Sequence, residues 1–256
     1  MIINTDHLKR CISTLESSLT MYRSAVPESI DQEVFRNAIV KGYELAQETS
    51  FKLLKRALNE FGHGGKKLDT TPIKEILRLA ATHGLMTLEE VERWFAYRDN
   101  RNNTAHDYGE GFAKETLVLL PGFIADAKLC WESPCVTDST TRHDRAMSRP
   151  ETVPLDLPKQ YLEQVMALLR ACAPQAEVWA YGSRVSGGGQ AASDLDLVLR
   201  NPANPDAETP GLFDLKEAFI ESDLPIRVDI MDWARIPESF HREIERAHVV
   251  IQAGSR

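Results

Sequence analysis

YGSRVSGGGQAASDLDLVLR, residues 181–200, sets two aspartates one residue apart in an apolar run, just after a Gly-Ser turn and a glycine-rich loop. The apolar runs on either side of the loop, EVWAYG and DLDLVLR, read as strands bounded by turn residues. Side chains alternate faces along a strand, so Asp194 and Asp196 project from one side while Leu195, Leu197 and Val198 anchor it. Two carboxylates a few ångströms apart repel each other unless a cation lies between them, and oxygen pairs of this kind suit Mg2+.

A phosphoryl-transfer site with two metals calls for a third carboxylate. Asp229, in the middle of the predicted strand PIRVDIMD, is the candidate, because a charge there is costly without a purpose. Asp232 competes, but its odd offset puts it on the opposite strand face. Gly182 and Ser183 follow a strand and open a short helix, where backbone N–H groups and the Ser183 hydroxyl would meet a phosphate chain.

Outward from this stretch, strands and helices alternate. A helix in KQYLEQVMALLRACA precedes the first strand, helices in GLFDLKEAFIES and PESFHREIERA flank PIRVDIMD, and VVIQ forms a short last strand. The pattern predicts an α/β domain over 155–256 with a small mixed sheet. Residues 133–154 are rich in Ser, Thr, Pro and charge, lack apolar periodicity, and read as a linker. Residues 1–132 read as an all-α bundle, with apolar residues recurring at three and four. FGHGGKK breaks its second helix. TTPIKEILRLAATHG supplies a short one with threonine capping and proline in the first turn, a Thr87-to-Glu90 capping box opens the next, and Pro121 predicts a kink in the last.

The chain of 256 residues has room for two such domains. No apolar run approaches the roughly 20 residues of a membrane span. The first residues lack the basic and apolar blocks of a signal peptide, so a cytoplasmic protein without membrane attachment is expected. A net charge of -8 argues against coating nucleic acid by charge alone while leaving room for a local RNA site. The four cysteines include no C-x-x-C pair, and none has a histidine at zinc-ligand spacing.

A second anomaly is YRDNRNNTAHDY, residues 97–108. A helix carrying Arg98, Arg101, Asn102, Asn103, His106 and Tyr108 within two turns is too polar for a core face. A guanidinium and an imidazole beside one phosphodiester can cleave RNA without a metal. The histidine moves a proton to or from the 2′-hydroxyl, and the arginine stabilises charge on the phosphorane.

Two resemblances follow from these motifs. G-S-R-x-x-G from Gly182 to Gly187, followed by S-D-x-D-L from Ser193 to Leu197, resembles the nucleotidyltransferase superfamily in its minimal MNT branch. The ending IPESFHREIERAHVVIQ is similar to the MNT ending. This resemblance implies Mg2+-dependent transfer of a nucleoside monophosphate from a triphosphate such as ATP. Asp194, Asp196 and Asp229 would be catalytic metal ligands, and Gly182 and Ser183 would hold the outer phosphates. Many members carry arginine where this chain has Ser186, which leaves Arg184 as the nearby nucleotide-binding cation.

R-N-x-x-x-H-x-Y, here Arg101, Asn102, His106 and Tyr108, preceded by Trp94 near the end of a bundle, resembles the HEPN family. That resemblance implies an all-α, typically homodimeric ribonuclease toxin with Arg101 and His106 catalytic and Asn102 supporting. HEPN and MNT domains are commonly encoded side by side, and in paired systems the MNT partner is an antitoxin that adenylylates the tyrosine of the motif, here Tyr108. The expectation is a fused toxin–antitoxin type protein whose ribonuclease is silenced by AMP on Tyr108. The alternatives are a nucleotidyltransferase that modifies a small molecule such as an antibiotic, with the helical domain as a substrate wall, and a binding module with both sites decayed.

Overall fold

The computed structural model describes residues 3–104, 110–132 and 155–254. The chain divides into two compact units, 1–143 and 144–256. The expected linker, 133–154, lies outside the described residues.

The first unit is helical. Helix α1 (Asp6–Ser24) and the long α2 (Ile30–Glu60) pack on each other along their length. Leu8, Ile12, Leu15 and Leu19 recur at three and four in α1 and are all buried, as are Ile39, Tyr43 and Ala46 of α2. A Cβ on Gly42 would come within 3.1 Å of Leu15 Cδ1, so a larger residue there would press on the leucine side chain. Ser29 caps α2 by accepting from the Gln32 N–H at 3.2 Å.

The glycine-rich break is shorter than expected, because α3 (Gly65–Thr70) starts inside it. In α4 (Ile73–Thr82) the expected threonine cap is absent. Pro72 takes the N-cap position with extended backbone, and Thr71 donates its hydroxyl backwards to the Lys67 carbonyl of α3. In α5 (Leu88–Thr104) the capping box forms in full: Glu90 accepts from the Thr87 N–H at 2.7 Å and Thr87 from the Glu90 N–H at 3.2 Å. Helix α6 (Glu110–Glu132) continues as one helix through Pro121.

The bundle core is aromatic. Trp94 meets Phe51, Tyr97 and Phe123 in tilted or edge-on contacts, and Phe123 meets Tyr43 edge-on at 4.7 Å. Each such side chain contributes about 1.5–3 kcal/mol by leaving water, and truncating Trp94 to alanine would cost about 3–5 kcal/mol. Buried polar bonds fix α5 within this core. Tyr43 Oη and Gln47 Nε2 both donate to the Tyr97 carbonyl, at 3.1 and 3.0 Å. Asp126 of α6 accepts both arms of Arg93, at 2.7 and 2.8 Å, and the Tyr97 hydroxyl at 2.8 Å.

The second unit holds α7 (Lys159–Cys172), β1 (Glu177–Tyr181), a single turn α8 (Ser183–Ser186), β2 (Leu195–Arg200), α9 (Leu212–Glu221), β3 (Val228–Asp232), a 3-10 turn Trp233–Arg235, α10 (Glu238–Arg246) and β4 (Val249–Gln252). The strands form one mixed sheet in the order β3-β2-β1-β4, with β2 and β3 parallel and the other pairs antiparallel. One face carries Trp179, Tyr181 and Val198 with Trp233, Ile244 and Phe240 of the closing segment packed on them. Residues of opposite parity, Val178, Ala180, Leu195, Leu197, Leu199 and Ile230, are all buried. No helix among the described residues is long and apolar enough to cross a membrane.

Candidate active site

Sheet register assembles the C-terminal site. Asp196 of β2 pairs with Asp229 of the parallel β3 on one side and with Tyr181 of the antiparallel β1 on the other. The three side chains therefore share one level of one sheet face. Asp194 lies one residue before β2 rather than within it, and its Oδ2 is 3.1 Å from Arg227 NH1. Burial, then Asp194, then Asp229 push the Asp196 carboxyl up to about 6, with Arg184 pulling the other way. The Tyr181 phenol is pushed up to about 12 by burial and by Asp196 and Asp229.

Gly182 is required twice over at the end of β1. Its φ of +77° lies where side chains are rarely tolerated, and a Cβ there would collide with the Asp196 carboxylate. Ser183, half-buried, opens the following turn of helix. The Gly-Ser pair thus borders the carboxylates directly.

Arg184, expected at the nucleotide, is bonded within the protein. It is 3% exposed, and its guanidinium donates to the carbonyls of Asp156, Ala191 and Ser193 at 2.7–3.1 Å. It clamps the glycine-rich loop from within. Asp232, the competitor for the third carboxylate, is buried and caps the 3-10 turn at the Ala234 N–H while also accepting from the Thr209 N–H at 2.7 Å. The register sets it opposite Leu199, on the face away from Asp229.

Three carboxylates on one surface, with backbone N–H groups beside them, form a donor set chemically suited to Mg2+ and phosphate. Among the described residues, however, no three His, Cys, Asp or Glu side chains converge closely enough to hold an ion. Asp194 is instead drawn towards Arg227.

In the helical unit, Arg101 lies in the last turn of α5, its Nη2 3.1 Å from Glu48 Oε1 of α2. Asn102 is exposed beside it. His106 and Tyr108 lie outside the described residues. Sequence reasoning overlooked Tyr181, Arg227 and Glu48. Strand parity offered a signal for Arg227, two residues before Asp229, whereas Glu48 becomes visible only once α2 packs beside α5.

The second unit thus sets a Gly-Ser turn beside register-matched aspartates on a mixed four-stranded sheet. The chain belongs to the nucleotidyltransferase substrate binding protein like family, whose model matches residues 3–132. It is also similar to two proteins of Haemophilus influenzae. One is named "Probable protein adenylyltransferase MntA", 44% identical over 98 residues, covering 38% of this chain and 84% of the relative. The other is named "Probable ribonuclease HepT", 29% identical over 104 residues, covering 41% of this chain and 70% of the relative.

Proposed function

We propose that the chain is a HEPN-type ribonuclease held silent by a tethered, ATP-using adenylyltransferase that modifies Tyr108. The observation that carries this reading is the row Tyr181, Asp196 and Asp229 beside Gly182, in a chain similar both to an adenylyltransferase and to a ribonuclease. We assign the first likeness to residues 155–256 and the second to residues 1–132, joined by 133–154.

In the transfer, the Tyr108 oxygen bonds to the α-phosphorus of ATP, the bond from that phosphorus to pyrophosphate breaks, and the phenolic proton leaves to solvent. Gly182 and Ser183 hold the outer phosphates through backbone N–H groups and a hydroxyl. Asp194, Asp196 and Asp229 would hold Mg2+, which supplies the positive charge that offsets the triphosphate.

AMP on Tyr108, two residues along the chain from His106, adds a bulky negative charge that repels the RNA phosphate. Without it, His106 moves the proton of the 2′-hydroxyl and Arg101 offsets charge on the phosphorane, with Asn102 in support. We take the working form to be a cytoplasmic homodimer joined through the helical unit.

A second reading draws on the description of the matched family, a substrate binding protein like domain. In it the helical unit is a wall for a small acceptor such as an antibiotic.

Intact mass and peptide mapping before and after incubation with Mg2+ and ATP, beside Tyr108→Phe and Asp194→Ala, test both. AMP on Tyr108 in wild type and on neither variant supports self-silencing. No AMP under any condition overturns it, and modification of an aminoglycoside at unchanged protein mass supports the second reading.

A further inference from the structure

We propose that the far end of α2, the glycine-rich break after it and α3 form a docking site for single-stranded RNA, with cations on the phosphates and Phe61 under a base. The inference rests on the ribonuclease reading of the helical unit and extends it from the scissile phosphate to the strand beyond.

Residues 52–69 carry five cations, Lys52, Lys55, Arg56, Lys66 and Lys67, against Glu60 and Asp69, a net charge of +3 within a chain of net charge -8. Folding gathers them on one surface. Helix α3 runs back along the last turns of α2: a Cβ on Gly65 would lie 3.5 Å from Asn59 Oδ1, and Lys55 Nζ donates to the Asp69 carbonyl at 3.4 Å. Leu54, Leu58, Leu68 and Ile76 close the apolar side of this pair of helices. Lys52, Arg56, Lys66 and Lys67 stay exposed on the other.

Phe61, the C-cap of α2, stands among these cations with 43% of its surface exposed. Its ring stacks on His83 at 4.7 Å and 27°, and His83 Nε2 lies 2.6 Å from His63 Nε2, so one imidazole donates to the other. The stack holds the phenyl ring in one plane. A fixed aromatic face beside several cations suits a strand in which bases alternate with phosphates, and it binds without reading sequence. An anionic lipid surface would use the cations but not the pinned ring.

The same helix leads to Arg101. Glu48, one turn before Lys52 on α2, lies 3.1 Å from Arg101 Nη2. At 1.5 Å per residue, Phe61 is about 20 Å further along. A strand with its scissile phosphate at Arg101 passes Lys52 and Arg56 and reaches Phe61 several nucleotides away.

The test is fluorescence anisotropy with a fluorescein-labelled oligouridylate, across a range of salt. The background is Asp194→Ala with His106→Ala, which under that reading neither modifies nor cleaves. Phe61→Ala should weaken binding about tenfold, and Phe61→Tyr, which keeps the ring, should lie near the parent. Lys66→Gln with Lys67→Gln should weaken binding and lower the slope of log affinity against log salt by about 1.4. Lys52→Gln with Arg56→Gln should do the same. Lys9→Gln and Lys216→Gln, on α1 and α9, should change nothing.

Unchanged affinity in Phe61→Ala and in both cation pairs overturns the inference, as does an equal loss in the Lys9 and Lys216 controls. Binding to phosphatidylglycerol vesicles but not to oligouridylate overturns it too. RNA cleavage by Asp194→Ala alone tests the ribonuclease reading separately. Cleavage with unchanged affinity in the variants leaves that reading standing without this site, and no cleavage with the expected losses leaves an RNA-binding site without the ribonuclease.

Discussion

Asp196 and Asp229 stand opposite each other in register on two parallel strands, one residue apart from buried Leu197 and Ile230 on each strand. Strand pairing alone therefore forces two acidic side chains together, at a cost that a cation would offset.

That cost should be measurable. The folded Asp196 carboxyl titrates near 6 against an ordinary 3.8, so the fold favours its protonated form. The associated stability is fully present below pH 3.8 and is lost as the pH rises through about 6. At neutral pH and without metal, Asp196→Asn should raise the melting temperature by roughly 2–4 °C. Nucleotide transfer should vanish in the same variant.

Mg2+ should stabilise the wild-type protein at pH 7.5 and lose that effect as the pH falls below 6, because a bound cation competes with the proton on Asp196. Thermal scans across that range with and without MgCl2 check the expectation. Asp196→Asn should show little Mg2+ effect at any pH.

Gly182→Ala should abolish transfer. The backbone at φ +77°, ψ -152° is a region held almost only by glycine and costs about 1–3 kcal/mol with a side chain, and the new methyl displaces the Asp196 carboxylate. Equilibrium unfolding would show the lost stability, and the mass assay the lost AMP.

Arg184→Met should destabilise the protein by about 1–3 kcal/mol, since the carbonyls of Asp156, Ala191 and Ser193 lose their donor. Lysine should not rescue it, because one ammonium cannot reach carbonyls that a planar fork spans. Urea denaturation of both variants measures this.

Under the self-silencing reading, Asp194→Ala with Asp196→Ala should make expression toxic, and adding His106→Ala should restore growth. Growth curves after induction decide it, with harmless expression of the double aspartate variant counting against silencing.

Much of the C-terminal site was legible because period-two alternation is a local property. Parity separates Asp229 from Asp232 before any coordinate is known, and the structure sets them on opposite faces. The bonding of Arg184 was not legible because its partners, Asp156 and the 191–193 loop, are brought to it by folding that no short motif encodes. Thr71 was misread because two short helices compete for it, and the preceding one takes its hydroxyl. Tyr181 and Glu48 depend on register and helix packing, which sequence spacing does not express.

The pairing of β4 with β1 sets an order on synthesis. Val178 is bonded beside Gln252, so β1 gains its second neighbour only after α10 and β4 have been translated. The helices, made first and rich in local contacts, can fold while that sheet is still open. Each newly made chain thus passes through an interval in which the helical unit is complete and the unit bearing Asp196 and Asp229 is not, an interval that slower translation of residues 155–252 would lengthen.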